Sequence, residues 1–146
     1  PVYRNSQGVI LKSKLAREGE EVYFFNPADF GVNFVANSVV TSEEMLKNNP
    51  DLVEKFLNAL LKGWEAAMDQ KNEEIALEAV KKLDKSTNDV IRKKQLNATR
   101  DLIKPSVSIR IGTIDISAWK QTEMIMLKEK QIKNPVNIEI HLIQIK

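Results

Sequence analysis

Few residues in this sequence could do chemistry together. His141 is the only histidine, and it lies in an apolar, alternating tail where an imidazole is ordinarily exposed or hydrogen-bonded rather than a ligand or base. Glu20-Glu21, Glu43-Glu44 and Glu73-Glu74 are adjacent carboxylates. Neighbours in sequence do not face each other on a helix, so these pairs read as solvated or capping charges rather than an acid and its base. Cysteine is absent, which removes thiolate nucleophiles, disulfides and zinc–sulfur sites together. No Gly-rich phosphate loop, metal-spaced cluster or Gly-x-Ser-x-Gly run occurs. Trp64 and Trp119 fall on apolar faces, where an indole ordinarily packs. On its residues alone, this is an α/β chain with no catalytic residues, no metal site and no cofactor to expect.

Composition sets the frame. The chain has 146 residues, 42% hydrophobic and 29% charged, the proportions of an ordinary globular protein large enough for one core. Its 22 basic and 20 acidic groups leave a net charge of +2, which gives no reason to expect nucleic acid or a membrane surface as partner. No run of about 18 apolar residues occurs, so no segment reads as a membrane span. No signal peptide is visible. The chain opens on Pro1 rather than Met, which predicts a processed or truncated polypeptide.

The elements that would position any site follow from periodicity. The stretch Pro50 to Asp69 is the clearest. Asn49 can cap it, Pro50 suits the first turn, and Asp51 complements the positive end of the dipole. Val53, Phe56, Leu57, Leu60, Leu61, Trp64, Ala67 and Met68 recur at spacings of three and four, one apolar stripe of a helix laid on a core. Thr41 and Glu44 have the spacing of a capping box, opening a short helix from Ser42 to Lys47. Asn72 to Leu83 offers Ile75, Ala76, Ala79, Val80 and Leu83 on one face. Ser86 or Thr87 can cap a helix running to about Ile103, before Pro105. Asp115 can cap another through Trp119 and Met126 to about Lys130. Strands are expected at Val9–Leu11, Val22–Phe25, Val32–Val40 and Val107–Ile111, where β-branched and aromatic residues cluster or alternate between turn residues. The tail is ambiguous: Val136, Ile138, Ile140 and Leu142 alternate like a strand, but Ile143 and Ile145 break the phase.

Several motifs in register add a resemblance. Asp29-Phe30-Gly31-Val32, then Thr41-Ser42-Glu43-Glu44, then Asn49-Pro50-Asp51-Leu52-Val53 with Lys62-Gly63-Trp64 resemble the bacterial solute-binding proteins of the nitrate, sulfonate, taurine and thiamine-pyrimidine group. Gly112-Thr113-Ile114-Asp115, Trp119 with Thr122, and Ile132 to Val136 resemble that group's later motifs. The match covers about residues 1 to 137. It implies the C-terminal portion of a two-lobed type II periplasmic-binding-protein fold, α/β and predominantly helical with a few strands. Pro1 to about Ala28 would be the end of the second lobe. Residues 29–146 would be the crossover and the C-terminal part of the first lobe, one compact unit lacking the N-terminal βαβ units. A structure without a strand in Val32–Val40, or without a single helix over Pro50–Asp69, would overturn this architecture.

The resemblance also implies a site. In related proteins a polar or acidic residue follows an asparagine in the segment matching Asn5-Ser6-Gln7-Gly8. Gln7 stands where an acid is common, which favours a neutral polar group or leaves the segment a plain loop. Asn26 and Asp29 flank the second inter-lobe crossing, and Phe30 could offer an aromatic wall; the plainer reading is that Asp29 caps a turn and Phe30 packs. The implied function is non-catalytic binding of a small anionic or heterocyclic solute for an ABC importer, with an ABC permease as partner and a periplasmic or extracellular, membrane-associated location. An extracellular sensory or protein-interaction module on the same fold is the alternative. Fungal enzymes of pyrimidine synthesis share the fold but depend on a cysteine-rich motif and an internal histidine. Without cysteine and with His141 alone, that chemistry has no residues here. Apolar faces that the missing half would cover predict a homodimer through Asp29–Val40 and Val136–Ile145.

Overall fold

The computed structural model describes residues 2–35, 37–104, 108 and 110–143. Those residues hold helices and turns and no strand. Seven α-helices run in order: α1 (Gln7–Leu15), α2 (Glu43–Asn48), α3 (Pro50–Met68), α4 (Glu73–Leu83), α5 (Asp89–Ile103), α6 (Ile116–Lys128) and α7 (Ile138–His141). The chain divides into two units, Pro1–Tyr23 with Phe56–Gly112, and Phe24–Lys55 with Thr113–Lys146.

Helices α2, α5 and α6 start where a side-chain oxygen takes one of the first free N–H groups. Pro50 opens α3 as the first helical residue, and the backbone carbonyl of Asn49 accepts from Leu52 and Val53. The stripe is present: Val53, Leu57, Leu60, Leu61, Trp64, Ala67 and Met68 are half-buried, while Phe56 is exposed. At the far end Asp69 caps the next turn through Lys71 N–H at 2.9 Å. Asn72 Nδ2 donates to Ala66 O at 3.1 Å, tying off a terminal carbonyl. The cap of α2 is Ser42, which accepts from Met45 N–H at 3.1 Å, one residue later than the expected Thr41. The cap of α5 is Asn88, accepting from Ile91 N–H at 2.9 Å. Ser86 and Thr87, the expected caps, instead donate to Asp84 Oδ1 at 2.7–3.2 Å. Asp115 caps α6 as its position predicts, accepting from Ala118 N–H at 3.0 Å. That helix closes on Lys130 in the left-handed region (φ 56°), with Gln131 N–H bonded to Met126 O at 2.8 Å.

In the first unit, α1 and α4 pack against α5. Asn5 Nδ2 donates to Thr99 Oγ1 (3.0 Å) and Lys94 Nζ to Ser13 Oγ (3.2 Å), joining the ends of α1 to α5. The face expected of α4 is not the one it turns inward. Ile75 and Leu83 are 71% and 92% exposed, and the half-buried positions are Glu73, Ala76 and Leu77. Glu73 sets that orientation by pairing with Lys93 (2.6 Å) and Arg100 (3.0 Å) of α5.

The strand expectations need correction. Val9–Leu11 lies inside α1, because a short apolar run carries no period of its own and the flanking residues continue a helical ladder from Ser6 O. Val22–Phe25 and the described part of Val32–Val40 are in neither helix nor strand. A strand needs a neighbour to take its N–H and C=O groups. Here the amides of Asn33 and Val35 are taken by side chains of α6 instead. That outcome counts against the α/β architecture for this segment. The strand expected at Val107–Ile111 rests on Val107 and Ile109, which lie outside the described residues. The tail that alternates like a strand forms α7 at Ile138–His141, held to α6 by Lys120–Glu139 at 2.5 Å. Ile145 lies outside the described residues. Among the described residues no hydrophobic side chain is fully buried.

Candidate ligand-binding site

The two groups of candidate residues sit on different units. Asn5 and Gln7 belong to the first. Half-buried Asn5 spends its amide on Thr99. Exposed Gln7 turns its Oε1 back to accept from Tyr3 N–H at 3.2 Å and Ser6 Oγ–H at 2.6 Å. The segment thus works as the entry turn of α1, with one amide facing α5 and the other closing the turn.

Asn26, Asp29 and Phe30 come together on a single turn of the second unit. Residues Pro27–Phe30 form one turn of 3-10 helix. Asn26 is its cap, accepting from Ala28 N–H (3.4 Å) and donating through Nδ2 to Asp29 Oδ1 (3.0 Å). Pro27 pre-sets the first φ, and Gly31 leaves the turn at φ 76°, a conformation costly for any residue with a Cβ. Phe30 is 68% exposed and stacks on Phe25 with centroids 4.6 Å apart and planes 16° from parallel. The turn therefore offers a carboxylate, an amide and a stacked aromatic pair to solvent. Groups of these kinds can hydrogen-bond polar groups and stack on flat rings.

Sequence reading missed two charged clusters of the first unit. Arg92 is 4% exposed. Its guanidinium donates to the carbonyls of Asp84 (2.8 Å) and Thr87 (2.5 Å) and to the Asp89 carboxylate, clasping the α4–α5 loop. Asp84, receiving bonds from Thr87 and Ser86, is held far below the usual carboxylate range. The second cluster is Glu73 with Lys93 and Arg100. Arg100 also donates to Ala67 O at 2.8 Å and Asn97 Oδ1 at 2.9 Å. A groove of about 600 Å³ lies against it, lined also by Gln70, Asp101 and Lys104. The Lys93 ammonium, then the Arg100 guanidinium, holds the Glu73 carboxyl below its usual range. In the sequence only the acidic doublet Glu73-Glu74 points to it, and adjacent carboxylates by themselves imply solvated charge.

The depressed carboxyls fix the sign of a pH effect. A group whose folded pKa lies below its unfolded value contributes stability that is present above the unfolded value, about 4, and lost as pH falls through the folded one. Stability is expected to decline as pH drops from about 5 toward 3. Asp84→Asn keeps an acceptor oxygen for Ser86 and Thr87 but cannot titrate, so its decline should be shallower than that of the parent chain. Thermal unfolding across that pH range checks it, and identical slopes would refute it.

Among the described residues no cluster of three or more His, Cys, Asp or Glu is placed to hold a metal. No helix there is long and apolar enough to cross a membrane. The turn at Asn26–Phe30 carries a carboxylate and an amide beside the stacked Phe25–Phe30 pair. The NMT1/THI5-like family matches residues 1–74, just over half of the 146 residues, and the chain belongs to that family. Its members are generally binding proteins rather than enzymes; they bind small solutes, work with ABC transporters, and are typically periplasmic or extracellular. No curated protein and no solved structure matches the chain.

Proposed function

We propose that the chain binds a small anionic or heterocyclic solute, of the sulfonate, nitrate or thiamine-precursor kind, and delivers it to an ABC permease without chemical change. The observation that carries this is the family match, because residues 1–74 include Asn5, Gln7, Asn26, Asp29 and Phe30 together. In this reading the chain is the C-terminal half of a two-lobed α/β protein. Residues 1–28 end the second lobe, and residues 29–146 form the crossover and the rest of the first. The strand expected at Val32–Val40 would then form only with neighbours from the other half. Asn26 and Asp29 bond the polar groups of the solute, and Phe30 forms one wall. On the other unit, Asn5 and Gln7 carry neutral amides of the kind that bond a polar solute.

Exposed apolar surface supports a missing cover. Phe25, Phe30 and Phe34 are 75%, 68% and 52% exposed, and burying such a side chain is worth roughly 1.5–3 kcal/mol. In this chain alone, a homodimer through Asp29–Val40 and the tail supplies that cover, which sedimentation at micromolar concentration decides. Calorimetric titration with nitrate, taurine and an aminopyrimidine tests the function. One of the three is expected to bind the parent chain and to bind Asp29→Ala at least about tenfold more weakly, the loss of one charge-assisted hydrogen bond. Equal binding by Asp29→Ala would remove Asp29 from the site, and heat from none of the three would refute the solute class.

A further inference from the structure

We infer that Gln121 and Thr122 of α6 are positioning residues for the turn at Asn26–Phe30. This rests on the solute-binding reading above. Gln121 Nε2 donates to Gly31 O at 3.0 Å, and its Oε1 accepts from Asn33 N–H at 2.5 Å. One side-chain amide thus holds the carbonyl and the N–H on either side of Val32, the pair that a residue of a neighbouring strand holds in a sheet. Two residues on, Val35 N–H donates to Thr122 Oγ1 at 3.1 Å. In an extended chain the amides of residues 33 and 35 point the same way, so adjacent residues of one helix can take both. The threonine is set for the task. Its own hydroxyl hydrogen goes to Ala118 O at 2.8 Å, which leaves the oxygen's lone pairs for Val35.

The clasp begins at the residue directly after Phe30. Gly31 N–H closes the turn on Ala28 O at 3.1 Å, and Val32 N–H on Pro27 O at 3.0 Å. With Asn26 capping the entry, the turn is fixed at both ends, and the exit is fixed by side chains 87–90 residues away in sequence. The flanking residues of α6 hold the tail. Lys120 pairs with Glu139, and Glu123 accepts from Val136 N–H. Positions three apart share a helix face, so 120 and 123 serve the tail while 121 and 122 serve the crossover. Without the clasp, Phe30 and Asp29 would sit on a segment with no strand neighbour to locate it.

Site-resolved amide exchange by NMR on the full chain, with binding by calorimetry, tests this. Thr122→Val, nearly isosteric, is expected to speed exchange at Val35 about tenfold while Thr122→Ser restores protection. Gln121→Ala is expected to do the same at Asn33 and to shift the ring resonances of Phe30. Amides of Leu57 and Leu60 in α3 should keep their protection in all of these, which separates loss of the clasp from general unfolding. Affinity for whichever of nitrate, taurine or the aminopyrimidine binds the parent should fall about tenfold in Gln121→Ala and in Thr122→Val, and stay at the parent's value in Thr122→Ser. Unchanged exchange at Asn33 and Val35 overturns the clasp. Faster exchange with undiminished affinity overturns the positioning role. Faster exchange and a shifted Phe30 ring with no probe bound to the parent would refute the solute class and leave the clasp standing.

Discussion

Arg92→Met is expected to lower the free energy of unfolding by about 2–3 kcal/mol, read as a shift of the urea midpoint at unchanged slope. Three partners meet this guanidinium, and they do not weigh equally. Asp89 is 68% exposed and has a second cation in Lys81 at 3.0 Å, so losing Arg92 leaves it solvated and paired. An exposed ion pair of that kind is worth at most about 1 kcal/mol. The carbonyls of Asp84 and Thr87 weigh more, because their donor sits on a side chain only 4% exposed. A polar group left without a partner away from water costs about 1–3 kcal/mol. Methionine keeps the apolar stem and isolates that loss. Asp89→Ala should therefore cost well under half as much as Arg92→Met. Comparable losses in the two would show that the ion pair, rather than the carbonyl clasp, holds the α4–α5 loop.

How much of this could be read from the chain differs by element. The third helix was legible to within one residue of its end because its signals are local: Asn49-Pro50 at the start, a stripe of period 3.6, a change of direction at Asp69. Asp115 likewise marks the start of α6, whose end falls two residues before the expected Lys130. Caps failed where two candidates competed for one job. Ser86 and Thr87 are good caps by type, but Asp84 claims their donors, and Asn88 is left to start α5. Strand patterns failed for a different reason. Val22–Phe25 and Val32–Val40 have the composition of strands, but composition says nothing about whether a neighbouring chain is there to pair. The bend at Asp29-Phe30-Gly31 was legible from Asn-Pro and Gly. Gln121 was not, since nothing within a dozen residues of it announces a bond to Gly31 or Asn33. Arg92 was hidden by its type: an arginine on a helix is expected in water, and only the loop it closes explains its burial.

Gly112→Ala is expected to cost about 2–5 kcal/mol, as the sum of two separable effects. Gly112 has φ +85°, in the left-handed region where an L side chain costs about 1–2 kcal/mol. A Cβ at this position would also lie 2.7 Å from Leu61 Cδ2 and 3.3 Å from Cδ1. The first distance is far inside van der Waals contact, so the leucine must move. Leu61 belongs to the half-buried stripe of α3, and pushing it off its position costs about 1–3 kcal/mol. Two further variants divide the sum. Gly112→Asn tolerates the left-handed backbone better than alanine but carries the same Cβ, so it should recover part of the loss and no more. Leu61→Ala in the Gly112→Ala background removes the clash and leaves the backbone strain. The double variant should be more stable than the two single losses predict when added, by about 1 kcal/mol or more, because residues in contact couple. Urea unfolding of the four proteins gives the cycle. Strict additivity would mean that Leu61 yields freely to the new methyl group. A loss below about 0.5 kcal/mol in Gly112→Ala itself would mean that the turn at Ile111–Gly112 can relax to a negative φ, and that neither effect operates.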